Sequence, residues 1–284
     1  MNTTSTSTVT TDTPQIPTVV SFVVPTKNAE RTIAACVRSL RQQAYPHVQI
    51  VLVDNHSTDR TCELAAEYVD RVIVAGPERC AQRNIGAAAS SGEIVVFVDA
   101  DMVLEPTIAG EAVRLIAEGD LDALVLPEQA FGENFFARCR GLEKRLYLGD
   151  SSVEAARAIR RSLFDQVGGW DETLTAGEDW DLSDRLREAG CRMGRTVGQV
   201  WHDEGTVKLL GQFKKKRYYG TWVAEFVSRG GASGHLARTS LVSQPKLLLA
   251  EPLMTGGLVA LKLVEAAGLA TGMVAGKLQR QAVA

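Results

Sequence analysis

The sequence predicts an α/β fold in which a mostly parallel sheet is flanked by helices and followed by a helical C-terminal extension. Short apolar runs of strand length alternate with segments whose apolar residues recur at helical spacing. Such alternation implies right-handed crossovers, with helices on both faces of the sheet. With 284 residues, of which 45% are hydrophobic and 23% charged, the chain can bury one large core and carry an appendage.

The first strand is predicted at residues 19–24, a continuous apolar run that ends at Pro25. Apolar residues at helical spacing from Ile33 to Leu40 then predict the first helix, and the apolar run 49–53 predicts the second strand. The rest of the β-α-β-α-β-α-β series is a helix over residues 61–68, a strand over 72–74, a helix over 80–89 and a strand over 94–98.

Three parts are expected along the chain. Residues 1–17 are a Thr/Ser-rich run without a basic start or an apolar stretch, so we expect a disordered tail rather than a secretory signal or a membrane anchor. Residues 18–205 are expected to form the main domain, and residues 206–284 a helical, basic and apolar region. The five cysteines form no C-x-x-C pair, which argues against a zinc site and for reduced thiols in a cytoplasmic protein.

The C-terminal region differs in charge from the rest of the chain. From Thr206 onward it has eleven Lys and Arg residues against three Glu, whereas the remainder is net acidic. A basic run over residues 214–217 and an apolar stretch over 246–276 favour attachment to an anionic membrane surface, peripherally on its inner face, over nucleic acid. The stretch has no uncharged run near the roughly 18 residues that span a bilayer. A solvated face, packing on the main domain and a homodimer contact are the alternatives.

Polar residues follow three predicted strands at their carboxyl ends. Pro25 and Thr26 follow the first strand, Asp54 the second, and Asp99 and Asp101 the fourth. In open parallel sheets the ligand lies beyond these ends, so we expect the residues to converge on one crevice. Asp99 and Asp101 alternate along a strand and can hold one divalent cation, Mg²⁺ or Mn²⁺, as phosphate-binding enzymes do. For an isolated Asp-x-Asp, a polar strand exit is the alternative.

Two common phosphate-binding motifs are missing from the sequence. Neither G-x-G-x-x-G nor G-x-x-x-x-G-K-[ST] follows the first strand. A metal at the aspartate pair is then the expected means of neutralising phosphates, and a nucleotide-diphosphate substrate is the first hypothesis.

Five polar segments follow one another in a fixed order. They are Val23-Val24-Pro25-Thr26-Lys27-Asn28, Val53-Asp54-Asn55-His56-Ser57-Thr58-Asp59, Ala81-Gln82-Arg83-Asn84-Ile85-Gly86, Asp99-Ala100-Asp101 and Gly177-Glu178-Asp179-Trp180-Asp181-Leu182. Together they resemble the motifs of family 2 glycosyltransferases, which have the Rossmann-like GT-A fold. The resemblance implies inverting transfer of a sugar from a nucleotide diphosphate to an acceptor hydroxyl, with a divalent cation. Asn55-His56 departs from the usual Asp-Gly and leaves the base preference open.

The resemblance also assigns the residues that bind the donor. Thr26, next to Pro25, and Asp54 would meet the nucleoside, while Arg83 would reach the base or the phosphates. Asp99 would lie near the ribose and bind the metal together with Asp101, which holds the two phosphates. Asp54 could instead cap the turn that follows it, and Arg83 could be an exposed helix charge.

On the acceptor side, the resemblance makes Asp179 the general base, with Glu178 as the competitor. Single displacement at a sugar needs a carboxylate opposite the leaving group, which takes the proton of the attacking hydroxyl. Acidic residues at the start of a helix also favour the helix macrodipole, so a purely structural role is the alternative.

Three further residues are candidates for contacts around the acceptor and the metal. Trp170, in a segment that resembles the loop closing over the acceptor sugar, and Trp180 are predicted stacking platforms; packing in the core is the alternative. His202 is expected to follow a strand over residues 196–200 and to add a metal or phosphate ligand; a structural role is the alternative.

The sequence thus predicts a metal-dependent, hexosyltransferase-type inverting glycosyltransferase that acts on a lipid-linked or membrane-associated glycan. Three alternatives remain. They are a non-catalytic nucleotide-sugar binding module, a sugar nucleotidyltransferase and a membrane-surface scaffold, of which the nucleotidyltransferase should show a Gly-rich basic loop that the sequence lacks.

Overall fold

A computed structural model of the chain describes residues 17–150, 153–174, 177–228 and 244–281. The expected tail, apart from its last residue, lies outside the described residues, so that prediction stays untested.

The structure contains ten strands within the described residues. The strands are β1 (Val20–Thr26), β2 (Val48–Asp54), β3 (Arg71–Val74), β4 (Ile94–Phe97), β5 (Met102–Leu104), β6 (Ala123–Val125), β7 (Glu128–Phe131), β8 (Ala156–Arg160), β9 (Met193–Arg195) and β10 (Val200–Asp203).

Helices separate most of these strands, as the sequence predicts. They are α1 (Ile33–Arg41), α2 (Thr61–Ala65), α3 (Arg79–Ala88), α4 (Ile108–Ala112, continued by a π-helical turn over Val113–Ala117), α5 (Phe135–Tyr147), α6 (Arg161–Gln166), α7 (Glu178–Glu188), α8 (Leu209–Ser228), α9 (Pro245–Ala250) and α10 (Pro252–Gln281). The prediction of a helix over 61–68 is too long, because α2 ends at Ala65 and the carbonyl of Tyr68 accepts hydrogen bonds from the Arg41 side chain.

The larger sheet has seven strands in the order β3-β2-β1-β4-β8-β6-β9. Its first four strands are parallel to one another, β6 and β9 are parallel, and β8 runs antiparallel to both of its neighbours. The prediction of an α/β fold with a mostly parallel sheet is therefore confirmed. Crossover helices cover both faces, which is why β1 and β4 are buried throughout.

Alternate residues of β1 enter two different cores. Phe22 packs in the cluster that includes α1, whereas Val23 packs in the cluster that includes α3. Helix α3 approaches the sheet closely at Gly86, where an added Cβ would lie 2.3 Å from Val23 Cγ1. This close approach brings the polar side chains of α3 to the carboxyl ends of β1 and β2.

A second, three-stranded sheet has the order β5-β10-β7 and changes one prediction. The expected strand over 196–200 is wrong, because Thr196 donates to the carbonyl of Gly198 in a turn between β9 and β10. His202 consequently lies inside β10 rather than beyond a strand end, paired in register with Met102.

Where the structure describes it, the C-terminal region is mainly helical, as expected, and α10 packs along α5 and α8. Over Pro252–Lys277, α10 is long and apolar enough to cross a membrane by length and composition, with a mean hydropathy of 1.7 and 28% of that window buried. The window contains Lys262 and Glu265, so the observation that no uncharged run approaches 18 residues still holds. The described part of the chain contains one such helix.

Candidate active site at the carboxyl ends of the strands

The ends of β1 and β2 lie side by side, with Thr26 and Asp54 paired in register. The side-chain amide of Gln82 donates to the carbonyls of Thr26 and Val53 and so ties the two strand ends to α3. Pro25 is buried within β1. The hydroxyl of Thr26 is buried without a hydrogen-bond partner among the described residues, which leaves one polar atom at this edge for a ligand.

Asp54 caps the turn that follows its strand. Its carboxylate accepts hydrogen bonds from both the backbone N–H and the hydroxyl of Ser57, and the residue is buried. The turn-cap alternative is therefore what the structure shows. Contact between Asp54 and a nucleotide base stays a prediction.

Arg83 is the centre of the site and is only 1% exposed, so it is not an exposed helix charge. Its guanidinium donates to Asp99 at 2.7 Å, lies 4.3 Å from the ring centroid of Trp170 and stands 3.7 Å from the carboxylate of Asp179. Its Nε and Nη1 have no hydrogen-bond partner among the described residues. Buried, unpaired donors of this kind can bind an anionic ligand.

Asp99 lies between two arginines. Besides Arg83, Arg157 of β8 lies 3.3 Å from its other oxygen. Although burial opposes the charged form, the two guanidinium groups hold the pKa of Asp99 well below its usual range. The role of Asp99 as a metal ligand stays a prediction.

Asp101 and His202 form the pair that can bind a cation. The imidazole Nε2 lies 3.1 Å from Asp101 Oδ2, and although burial opposes protonation, the hydrogen bond to this carboxylate raises the pKa of His202. The described residues contain no group of three or more His, Cys, Asp and Glu side chains placed to hold a metal. Two ligands still fit Mg²⁺ or Mn²⁺, because these ions take their remaining ligands from water and substrate phosphates.

The two acids at the start of α7 have different environments. Gly177 precedes them at φ +83°, a conformation that glycine adopts without strain. The side chain of Glu178 is 4% exposed and pairs with Arg79 at 2.6 Å, whereas that of Asp179 is 39% exposed. Burial and the neighbouring Asp179 raise the pKa of Glu178. Asp179 is thus the carboxylate that a hydroxyl can reach.

The predicted stacking role of Trp170 is corrected by the structure. Trp170 is 3% exposed, and its ring packs edge-on against Phe97 and under the guanidinium of Arg83. The core-packing alternative therefore holds for this residue, which has no free face for a sugar. Trp180 is half-buried against Leu174, and its role as an acceptor platform stays a prediction.

The segment expected to close over the acceptor is held at both ends. Asn84 of α3 accepts a hydrogen bond from the backbone N–H of Trp170 and donates to its carbonyl, and Arg185 of α7 donates to the carbonyls of Val167 and Gly169. The segment is therefore fixed to α3 and α7.

Sequence patterns alone do not identify several charged residues of the site. Arg157 and Lys144 both pair with Glu128, and with Asp99 and Arg83 they extend the charged cluster beneath the strand ends. The sequence signal for Arg157 is weak, because it consists only of a charged residue between two alanines in a short strand.

Helix α8 reaches the same site from the C-terminal region. The guanidinium carbon of Arg79, which holds Glu178, lies 5.9 Å from the ring centroid of Tyr219. An element beyond the five motifs therefore borders the side of the site that carries Asp179.

Comparison with protein families gives a match to the model described as glycosyl transferase family 2, over residues 21–168. The chain is 29% identical to the pre-mycofactocin glycosyltransferase of Mycobacterium tuberculosis over 241 residues, covering 74% of this chain and 48% of that protein. It is also 29% identical to the glycosyltransferase GlyG of Streptococcus pneumoniae, covering 54% of this chain and 51% of that protein. The chain thus spans about half the length of these curated relatives.

Solved structures share the fold. The crystal structure of TarS from S. aureus superposes with a TM-score of 0.56 at 17% identity, covering 89% of this chain and 54% of TarS. The mannosyltransferase PcManGT from Pyrobaculum calidifontis, in complex with GDP-Man and Mn²⁺, superposes with a TM-score of 0.54 at 20% identity, covering 92% of this chain and 81% of that one.

Proposed function

Because the chain belongs to glycosyl transferase family 2, we propose that it transfers a sugar from a nucleotide-diphosphate sugar to an acceptor hydroxyl, with inversion at the anomeric carbon. The observation that carries the proposal is the position of Arg83, which contacts Asp99 on the donor side and stands 3.7 Å from the exposed carboxylate of Asp179. A donor bound beside Asp99 and an acceptor bound beside Asp179 would therefore both lie next to the Arg83 guanidinium.

In the proposed reaction Asp179 is the general base. As the acceptor oxygen bonds to the anomeric carbon, its proton passes to the Asp179 carboxylate, and the bond between that carbon and the phosphate oxygen breaks. The nucleoside diphosphate leaves with the bonding electrons. Glu178 does not compete well for this role, because it is buried and already paired with Arg79.

The donor is proposed to bind along the strand ends. Thr26 and Asp54 would line the nucleoside, and the unpaired guanidinium nitrogens of Arg83 would meet the phosphates. Asp99 would orient Arg83 and lie near the ribose.

Asp101 and His202 are proposed to hold a divalent cation, Mn²⁺ or Mg²⁺. A cation bound there would neutralise the diphosphate as negative charge develops on the leaving group. The similarly folded PcManGT, which was solved in complex with GDP-Man and Mn²⁺, supports this assignment.

The acceptor is proposed to be a lipid-linked or membrane-associated glycan. Its support is the position of α8, which carries exposed cations and places Tyr219 beside the Arg79–Glu178 pair. On this proposal residues 18–205 form the catalytic domain, and residues 206–284 carry the enzyme to the cytoplasmic face of the membrane.

The test separates binding from transfer. With UDP-, GDP- and dTDP-sugars and Mn²⁺, the parent protein should show a donor-dependent rise in melting temperature, since a ligand that binds only the native state stabilises it. Asp179→Asn should keep that shift and lose about 10²- to 10⁴-fold in release of nucleoside diphosphate. Asp184→Asn, a substitution on the exposed face of the same helix, is the matched control.

Each alternative gives a different result. Parental turnover in Asp179→Asn would exclude Asp179 as the base and direct attention to Glu178. Donor binding without turnover in the parent protein, over a panel of glycan and glycolipid acceptors, would indicate a binding module. Release of pyrophosphate from a nucleoside triphosphate and a sugar phosphate would indicate a nucleotidyltransferase.

A further inference from the structure

Helix α10 has one face against the protein and one apolar face that the described residues leave uncovered. Leu258, Leu261 and Glu265 are buried on the inner face. On the outer face Leu253 is 72% exposed and Leu263 67%, and the exposed side chains Val259 and Val274 continue the stripe. From Leu253 to Val274 this stripe is about 30 Å long, at about 1.5 Å per residue.

The two charges of α10 between Leu253 and Val274 are Lys262 and Glu265, and both lie on its inner face. Lys262 pairs with Glu143 of α5 and with Glu265, and Glu265 pairs in turn with Arg140 of α5. These side chains satisfy one another between the helices, so the outer stripe from Leu253 to Val274 is free of charge. The ion pairs also fix α10 to α5.

A ridge of glycines holds α10 against α8. Cβ atoms added at Gly268, Gly272 and Gly276 would each lie within 3 Å of a backbone carbonyl oxygen of α8. The facing residue Gly220 is as close to the backbone of α10. The inner face is thus occupied, and the outer face is what remains to bind a partner.

Helix α8, which packs against the inner face of α10, carries exposed cations and further apolar side chains. On α8, Lys214, Lys215 and Arg217 are exposed, as are Leu210 and Tyr218. The neighbouring Lys216 is different, because it turns toward the interhelical ion pairs and burial lowers its pKa. The expectation that all four basic residues of this run face lipid is therefore corrected to three.

No acidic side chain of the C-terminal region pairs with these cations among those that the structure describes. Among the C-terminal side chains that the structure describes, the acidic residues are Glu251, which pairs with Arg145, and the buried Glu265. An exposed apolar stripe on α10, together with exposed cations on the helix packed against it, matches an anionic lipid surface, which offers both acyl chains and negative head groups.

We infer that α10 lies lengthwise in the surface of an anionic lipid bilayer, with Leu253, Val259, Leu263 and Val274 among the acyl chains and the cations of α8 at the head groups. A spanning α10 would carry Lys262 and Glu265 into the hydrocarbon and separate them from α5, leaving charges unpaired. The inference deepens the proposed membrane acceptor but concerns attachment, so it does not require transfer.

The test is co-sedimentation of the full chain with vesicles of phosphatidylcholine alone or mixed with phosphatidylglycerol. Binding is expected for the mixed vesicles at low salt, and its loss at about 1 M salt, where the Debye length is about 3 Å. Changing Lys214, Lys215 and Arg217 together to Gln should weaken partitioning by roughly tenfold or more, since each cation near the surface contributes about fivefold before screening.

Substitutions on α10 test the contribution of the apolar stripe to vesicle binding. Leu263→Gln with Val274→Gln should also reduce partitioning at least tenfold, and both side chains are exposed, so folding should persist. Val197→Gln, at an exposed valine between β9 and β10, is the matched control and should bind like the parent. A donor-dependent thermal shift in each variant reports an intact catalytic domain, so failure to bind vesicles is distinguishable from failure of the proposed function.

Three results would overturn the inference. Equal binding to vesicles without anionic lipid would exclude the electrostatic part. Retention on vesicles after an alkaline carbonate wash would indicate a spanning helix. A protein that stays in the supernatant and sediments as a dimer that Leu263→Gln dissociates would show that the stripe binds a second copy.

Discussion

The same substitution at two glycines of α10 should have opposite effects on stability. At Gly272 an added Cβ would lie 2.1 Å from the carbonyl oxygen of Arg217 in α8, so the two helices must separate by about 1 Å. At Gly256 an added Cβ would meet no atom within 4 Å. Replacing glycine by alanine favours the helix by up to about 1 kcal/mol at either site.

The magnitude follows from the difference between the two sites. Gly256→Ala should stabilise the protein by about 0.5–1 kcal/mol, because it gains helix propensity without a clash. Gly272→Ala has the same gain but must accommodate a methyl group in a packed interface, which costs about 1–3 kcal/mol. The propensity terms cancel between the variants, so Gly272→Ala should be less stable than Gly256→Ala by about 1–3 kcal/mol.

Urea unfolding followed by far-UV circular dichroism measures this difference, with the slope of the transition checked against the parent. Hydrogen exchange of the α10 amides locates the change if the C-terminal helices open separately from the sheet. Equal midpoints for Gly272→Ala and Gly256→Ala would refute the close packing of α8 on α10.

Two further outcomes are expected. Asp101→Ala should abolish the Mn²⁺-dependent part of the donor thermal shift, because the phosphates lose their counter-charge. Asp120→Ala, at a fully exposed loop position, is the control and should keep that shift. If Asp101→Ala shows the parental shift, Asp101 is not part of the metal site. Although burial opposes its charge, Arg157 and Lys144 lower the pKa of Glu128 to about 2 from an ordinary value near 4.5. The stabilisation that the Glu128 carboxylate provides is therefore complete above about pH 4.5 and is lost as the pH falls toward 2. Glu128→Gln should therefore flatten this part of the acid-unfolding curve, and an unchanged curve would contradict the pairing.

The sequence predicts the sheet well where one local signal decides the structure. The run 94–98 is apolar because β4 is covered on both faces, and its length and period suffice to place it. The run 196–200 misleads, because its β-branched residues suggest a strand. The carboxylate of Glu111 holds the N–H groups of Val197 and Gly198 in a turn, and a capping residue so far away in the chain leaves no local pattern.

For the candidate site, the motifs identify the right residues but not their partners. The spacing of Asp99 to Asp101 suggests a metal ligand, but it does not reveal that the fold also brings Arg157 of β8 to within 3.3 Å of one Asp99 oxygen. Trp170 looks like a platform for a sugar, yet the fold places it beneath Arg83. Both differences depend on contacts between elements far apart in the chain, and one-dimensional patterns do not encode those contacts.

Four residues of α3 make contacts with different parts of the site from one continuous helix. A change in the length of this helix would therefore alter the directions of these side chains relative to one another. Arg79 reaches α7, Gln82 the strand ends, Arg83 the aspartate after β4 and Asn84 the segment before α7. One residue inserted between Arg79 and Gln82 would rotate Arg79 by about 100° relative to the other three residues, so the four contacts could no longer form together. The interior of α3 should therefore accept substitutions but neither insertions nor deletions.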